Sequence, residues 1–309
     1  MIDKSTPIDI EELKVVPLRH PGRWIATAVL VVILTYIFKA FIFNPAFQWP
    51  VAGKYLFHSS IINGLKTTML LTVIIMILAV ILGTVMAILI LSPSRLLSWP
   101  ARAYVWFFRG SPALIQLIIW FNLALVFREL SISIPFVGTI FSVKTNDFFT
   151  PFFSAVIALS LHEAGYMAEI VRGGISAVNK GQVEAANSLG MNNGVILSRI
   201  VIPQAMRFII PPTGNETINL LKTTSLVSVI AVSDLLNSAQ SIYTRTFETI
   251  PLLMVVTFWY LFVVSAMSVG QSYLERYYGK SDAQDGGGRS VLKIIKDILS
   301  FRNVRRYSS

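Results

Sequence analysis

Six ionisable side chains interrupt two stretches of the sequence, the fourth and fifth predicted spans, that are otherwise apolar and long enough to cross a bilayer. A charge at the centre of a bilayer costs roughly 2.5–3.5 kcal/mol on insertion scales, so such groups face the protein interior, water or a partner. Acidic and basic side chains together could bind a zwitterion. An acidic side chain would accept hydrogen bonds from its ammonium group, and a basic side chain would bind its carboxylate. The six residues are His162, Glu163, Glu169, Arg172, Glu216 and Lys222.

Glu163, Tyr166 and Met167 lie within about one turn of a predicted helix. The carboxylate could accept an ammonium group, with Tyr166 stacking on it or hydrogen-bonding to it. A structural pair of Glu163 with His162 or with Lys222 is the alternative, and the residues leave both open. Glu169 and Arg172 are three residues apart, which favours an ion pair within the helix.

A second polar group follows Pro211, Pro212 and Gly214, which we expect to interrupt a helix and free backbone groups beside a cavity. The first of these residues carry amides and a carboxylate. The later ones carry a cation and hydroxyl groups, which could bind the carboxylate of a substrate. Alternatively, these groups hold helices or copies of the chain together. The candidate positions are Asn215, Glu216, Asn219, Lys222, Thr223, Thr224 and Ser225.

The composition indicates a membrane protein, because 54% of the residues are hydrophobic and only 14% are charged. The absence of cysteine excludes disulfides, and the three histidines are too scattered to form a metal-ligand pattern. Lys280 follows a glycine, but Leu274 occupies the position of the first glycine of a phosphate-binding loop. We therefore predict no metal site, no catalytic residues and no ATP hydrolysis in this chain.

Apolar runs predict an all-α, polytopic protein with about six spans. A cleaved signal peptide is the rival interpretation of the first run, but no small-residue cleavage site follows it, and we favour a retained helix. Of the 26 lysines and arginines, 19 fall in the tails and loops of one side and five on the other. Both ends are therefore predicted to be cytoplasmic, and such dispersed charge argues against nucleic-acid binding. The predicted spans are residues 24–43, 63–91, 112–127, 151–171, 207–230 and 250–273, between tails 1–23 and 279–309.

A polar segment between the fourth and fifth spans, residues 184–203, is called the EAA segment below. Glu184, Ala185, Ala186 and Leu189 favour a helix, and Gly190 is placed to end it in a left-handed conformation. A turn and a second short helix follow, which we expect Pro203 to end. A rigid helical projection of this kind, fixed between two spans, can receive force from a soluble partner.

The spacing Glu-Ala-Ala, three residues, Gly190, nine residues, Ile200, then Pro203 resembles the EAA loop of permease subunits in bacterial ABC importers. Ile202 stands where that family usually has leucine. The segments 107–112, 166–174 and 214–226 are similar to the polar amino-acid branch, the histidine/glutamine type. The resemblance covers residues 56–278.

The resemblance implies a type I importer permease domain at residues 56–278, preceded by an extra N-terminal helix at residues 24–43. It implies a bacterial cytoplasmic membrane location and no cofactor in the chain, with ATP and Mg²⁺ held by a partner ATPase. Glu184 would meet a basic edge of that ATPase, Ala185 and Ala186 would allow close approach, and Gly190 would make the bend. Further implied partners are a second permease copy or paralogue, an extracytoplasmic amino-acid-binding protein, the amino acid and membrane lipid.

Two other classes of function fit the residues. An ion-coupled transporter or channel would use Glu163 and Glu216 as proton or sodium sites and would work without the EAA segment. A membrane scaffold would tolerate neutral replacements of similar size at Glu163 and Lys222.

Overall fold

A computed structural model of the chain describes residues 21–134 and 138–279, in two compact units that divide between Trp49 and Pro50. The tails predicted at residues 1–23 and 279–309 lie almost wholly outside the described residues. In the first unit, helix α1 (Pro21–Phe43) contains the apolar run Trp24–Phe43, whose 20 residues suffice to cross a bilayer. After α1 ends, the chain turns back, and Trp49 Nε1 donates a hydrogen bond to the carbonyl oxygen of Ile42 at 2.8 Å.

The second unit is a helical bundle with one antiparallel β-hairpin. A π-helical turn (Leu197–Val201) leads into the long helix Ile202–Thr223, and a 3₁₀ helix (Thr224–Ile230) follows that helix. The hairpin pairs Glu129 with Lys144 at its open end. In order, the elements are α2 (Trp49–Tyr55), α3 (Ser59–Leu91), α4 (Arg95–Gly110), α5 (Ala113–Phe121), β1 (Glu129–Ile134), β2 (Gly138–Lys144), α6 (Thr145–Phe148), α7 (Pro151–Ser176), α8 (Lys180–Ser188), α9 (Asn193–Ile196), α10 (Ile202–Thr223), α11 (Leu235–Thr246) and α12 (Thr249–Gly279).

Helix α7 lies at the centre of the bundle and packs against α3, α4, α5 and α10. Small residues allow the close approach, since a β-carbon on Gly83 of α3 would lie 2.9 Å from the carbonyl oxygen of Ala164. Ala87, one turn further along α3, is fully buried. Gly83 and Ala87 therefore lie on a close-packing face of α3.

Within residues 21–134 and 138–279, four helices are long and apolar enough to cross a membrane, or five if the bent pair of α4 and α5 counts as one span. Helix α7 has 26 residues and the length to span, but its ionisable side chains lower its hydropathy.

The third span predicted at residues 112–127 does not form as one continuous helix. Helix α5 has nine residues, or about 14 Å, and it meets α4 at an angle of 102°. Pro112 lies at the bend, where its ring restricts the preceding residue. The sequence also gave no prediction of the hairpin that follows.

Two predicted proline breaks are also wrong. Helix α10 runs unbroken through Pro211 and Pro212, and Pro203 lies in its first turn rather than ending the preceding helix. Proline is tolerated in a first turn because the N–H there has no partner within the helix. At the double proline, Gln271 Nε2 of α12 donates to the carbonyl oxygen of Pro211 at 2.7 Å.

Candidate functional site

The EAA segment folds from local signals into two helices around a sharp bend. Asn179 Oδ1 caps α8 by accepting from the backbone N–H of Gly181 at 2.8 Å, and Asn192 Oδ1 caps α9 in the same way. Gly190 has φ +72°, the left-handed conformation predicted for it. The helix, bend and second helix therefore form as the sequence indicates.

The predicted coupling residues divide between an exposed face and a small core. Glu184, Ala185 and Leu189 are exposed, Leu189 to 82%, and Gly190 and Pro203 are exposed as well. Ala186 is only 3% exposed, and Ile200 is partly buried beside it in the core that the two helices share. Only the exposed side chains can contact a soluble partner in this arrangement, while Ala186 and Ile200 hold the helices together.

Two contacts join the helices on either side of the EAA segment. A β-carbon on Gly174 of α7 would lie 3.2 Å from the carbonyl oxygen of Ala205 of α10, so these helices are in close contact. Gln204 Nε2 of α10 donates to Gln182 Oε1 of α8 at 2.6 Å. Because α10 continues directly from the segment, a force on the segment acts on the bundle helices.

Two of the predicted acids meet inside the bundle. The side chains of Glu163 on α7 and Glu216 on α10 lie close enough to interact electrostatically. Glu163 is only 3% exposed, and its Oε1 has no hydrogen-bond partner among the described residues. A buried carboxyl oxygen without a hydrogen-bond partner is energetically costly.

The structural pairs considered for Glu163 do not form. Gln116 Nε2 lies 3.2 Å from Nδ1 of His162, and Lys222 is exposed. Arg172 and Glu169 form the one salt bridge among the described side chains, at 2.6 Å, as their spacing predicted.

The remaining candidates on α7 face other neighbours. The ring of Tyr166 lies 5.2 Å from the guanidinium carbon of Arg109 on α4, a cation–π contact, and 5.3 Å from the ring of His162. Met167 is 1% exposed and packs in the core beside Gly83.

The polar groups on α10 are dispersed around the helix. Asn215 Nδ2 donates to Glu275 of α12 at 3.4 Å, and Asn219 is exposed. The hydroxyl hydrogens of Thr223, Thr224 and Ser225 are donated to backbone carbonyls three or four residues earlier in the chain. In this arrangement those hydroxyls are not free to donate to a substrate carboxylate.

An apolar cavity of about 490 Å³ lies between α3, α7 and α10. It comes close to the acid pair, because Met167 lies one turn after Glu163, and Thr213 and Thr217 flank Glu216 along α10. Its volume is within the range of about 300–1,000 Å³ that is typical of small-molecule pockets.

The sequence reasoning missed a polar cluster where α11 begins. Asp234 is fully buried and caps α11, accepting from the backbone N–H of Asn237 at 2.8 Å. Thr68 of α3 accepts from the backbone N–H of Leu235 at 3.0 Å. Burial raises the pKa of Asp234 to about 6. An aspartate directly before an amphipathic helix is the signal that could have identified this cap.

The architecture and the EAA segment together define a transport protein of the membrane. Residues 79–277 match the family described as binding-protein-dependent transport system inner membrane component, and the chain belongs to that family. It is thus the permease component of an amino-acid ABC transporter of the inner membrane.

The relatives of the chain include permeases for different amino acids. The chain is 42% identical to the arginine transport system permease protein ArgU of Corynebacterium glutamicum, over 87% of this chain and 84% of that protein. It is 35% identical to the L-cystine transport system permease protein TcyB of Bacillus subtilis, over 74% of this chain and 86% of that protein. A crystal structure of an amino acid ABC transporter with histidines aligns with a TM-score of 0.63 and 31% identity, over 74% of this chain and 98% of that one.

Proposed function

We propose that this permease imports an amino acid by alternating access, driven by a separate ATPase subunit that docks on the EAA segment. The observation that carries the proposal is the position of the segment, exposed at Glu184 and Leu189 and continuous with α10. A rigid projection on a bundle helix can transmit a movement of its partner to the interior.

The mechanism follows from that connection. ATP and Mg²⁺ bind to the ATPase subunits, whose closure pulls on the EAA segment and turns α10 against α7. The cavity then opens outward and receives the amino acid from an extracytoplasmic binding protein, and hydrolysis returns it to the inward state. A second permease copy or paralogue completes the pathway, and both tails face the cytoplasm, where the ATP is.

The cargo site is proposed around Glu163 and Glu216, with the cavity beside them. The carboxyl pair takes the ammonium group of the amino acid. Lys222 and the amides of Asn215 and Asn219 lie on the same helix as Glu216, and in the state that binds cargo they hold the substrate carboxylate. The relatives' names support only the wider class, since one is named for arginine and another for L-cystine.

An affinity pull-down from solubilised native membranes tests the coupling. The wild-type chain is expected to recover an ATPase subunit, and Glu184→Lys to lose it while remaining folded. Asp147→Lys is the matched control, because Asp147 is an exposed acid of α6, between two predicted spans on the side predicted to face outward. Normal ATPase recovery with Glu184→Lys would contradict docking at this position, and a chain recovered without any ATPase would leave the mechanism without its energy source.

A further inference from the structure

Helix α4 carries two different stripes of side chains on the surface that it turns away from the bundle. Arg95 and Arg102 are exposed and lie about two turns, or roughly 10 Å, apart along the first stripe. Leu96, Trp99 and Trp106 form the second stripe and are 83%, 75% and 77% exposed. Their spacings of three and seven residues place them on one face of the helix. A large exposed apolar face of this kind marks a binding surface.

The opposite face of α4 fixes the helix near one end of the bundle. Ala101 and Val105 are buried in a cluster with Ile90, which lies in the last turn of α3. The same cluster includes Ala168, about two turns before the end of α7. The hydroxyl of Tyr104 donates to a backbone carbonyl of α7 at 2.7 Å. Helix α4 therefore lies toward the end of the bundle where α7 leads into the EAA segment, which is called the EAA side below.

The two arginines of the first stripe are available to an external anion. Helix α4 contains no aspartate or glutamate, and among the described side chains neither Arg95 nor Arg102 forms a salt bridge. Arg109 differs from them, because its guanidinium group lies over the ring of Tyr166 on α7. A guanidinium group binds phosphate through two parallel hydrogen bonds.

The order of the stripes fits the boundary between lipid headgroups and acyl chains. Tryptophan is enriched at this boundary, where its ring has an apolar body and a polar N–H. A helix with an apolar face beside basic residues binds to a membrane surface, and more strongly to an acidic one. The bend of 102° sets α4 across the line of α5, which suits a helix that lies along the membrane rather than through it.

We propose that α4 is a binding site for acidic phospholipid in the membrane leaflet on the EAA side. Leu96, Trp99 and Trp106 insert among the acyl chains. Arg95 and Arg102 bind the phosphate of the headgroups, and the net negative charge of an acidic lipid makes it preferred over a zwitterionic one. The inference goes beyond the proposed function and does not depend on it.

Binding of labelled phospholipids to the purified transporter complex in neutral detergent tests the charge preference. The probes are phosphatidylglycerol and phosphatidylcholine with the same labelled acyl chain. Each basic residue near an acidic lipid surface contributes roughly fivefold in affinity. We therefore expect wild type to bind phosphatidylglycerol at least tenfold more tightly than phosphatidylcholine, and Arg95→Gln/Arg102→Gln to retain less than a threefold preference. Arg95→Lys/Arg102→Lys keeps both charges and should retain most of the preference, which separates loss of charge from misfolding.

The matched control removes two positive charges elsewhere. Lys66→Gln/Arg128→Gln replaces two exposed cations near the side predicted to face outward, and neither of them forms a salt bridge among the described side chains. This variant should keep the wild-type preference for phosphatidylglycerol.

Quenching of tryptophan fluorescence by phospholipids with brominated acyl chains tests insertion of the aromatic stripe. Trp99→Phe/Trp106→Phe should remove a substantial part of the quenched emission, because the chain has six tryptophans and these two are highly exposed. Trp120→Phe/Trp259→Phe is the control, since both rings are partly buried, and it should remove less.

The outcomes are decisive for the lipid site. Equal affinities of wild type for the two phospholipids, an unchanged preference in Arg95→Gln/Arg102→Gln, or an equal loss in the charge control would each overturn it. Quenched emission that survives the loss of Trp99 and Trp106 would show that a protein, such as a second permease copy, covers the stripe, and this would also overturn the proposal. None of these measurements uses ATP or an amino acid, so their failure is distinct from failure of the importer mechanism.

Discussion

Gln271 of α12 fills the space beside Gly214 of α10 that a β-carbon would need. From there its Nε2 donates to the carbonyl oxygen of Pro211 at 2.7 Å and to Glu275 at 3.0 Å. Two successive prolines remove two N–H donors from the helix, so this part of α10 depends more on groups outside it. The fit of Gln271 against Gly214 joins α12 to the helix that carries Glu216.

Gly214→Ala should destabilise the bundle by about 1–3 kcal/mol, the usual cost of overpacking a fitted contact. The added methyl group displaces Gln271 and breaks its bond to Pro211. The measurement is the apparent unfolding temperature of the purified complex in detergent. Gly173→Ala is the control, because a β-carbon there meets nothing within 4 Å. Equal unfolding temperatures for the two variants would refute the importance of this contact.

Gly190→Ala should loosen the EAA segment through backbone strain alone. A β-carbon meets nothing within 4 Å at this position, but φ is +72°, where an L-residue costs about 1–2 kcal/mol. Amide hydrogen exchange across residues 184–203 should become faster. Gly194→Ala lies in α9 without a positive φ and should leave the exchange nearly unchanged. Unaltered protection in Gly190→Ala would show that the bend tolerates a side chain.

Leu189→Ser should lower recovery of the ATPase subunit at least fivefold, because an apolar side chain that is 82% exposed supplies contact area for a partner. The pull-down is the one proposed for Glu184→Lys. Leu125→Ser is the matched control, since Leu125 is equally exposed, at 82%, and follows α5 on the side predicted to face outward. A similar loss in both variants would indicate a general effect on assembly.

Asp234→Asn should alter the pH dependence of stability. Burial raises the pKa of Asp234 to about 6, above its ordinary value, so the folded state holds this proton more tightly than the unfolded state. The resulting stabilisation is fully present below about pH 4 and is lost as the pH rises through about 6. Over that interval the wild type should lose up to about 3 kcal/mol relative to the variant, because a shift of about two pKa units corresponds to that energy.

Asparagine can still cap α11, so Asp234→Asn removes the ionisation and keeps the hydrogen bonds. Unfolding temperatures of wild type and variant, compared between pH 4.5 and 7.5, give the difference directly. Parallel pH profiles would contradict a proton held at Asp234.

Contacts between residues close in the chain could be predicted from the sequence. The Arg172–Glu169 salt bridge, the left-handed Gly190 and the apolar spans follow from helix geometry, backbone sterics and hydropathy. These depend on spacings of a few residues or on the length of an apolar run. The family motif, with the expectation of a permease, could be recognised for the same reason.

Only the tertiary structure decided which helix faces meet. Glu163 and Glu216 lie close together although 53 residues separate them, and Gln271 reaches Pro211 across 60 residues. The burial of Ala186 and the 102° bend between α4 and α5 were likewise decided only by the tertiary structure. The physical reason is that hydropathy defines a span but not its rotation about its axis, and a modest rotation changes which side chains face a neighbouring helix. The sequence thus determined a membrane permease with an EAA segment, and the packing of α7 against α10 brought its two acids together.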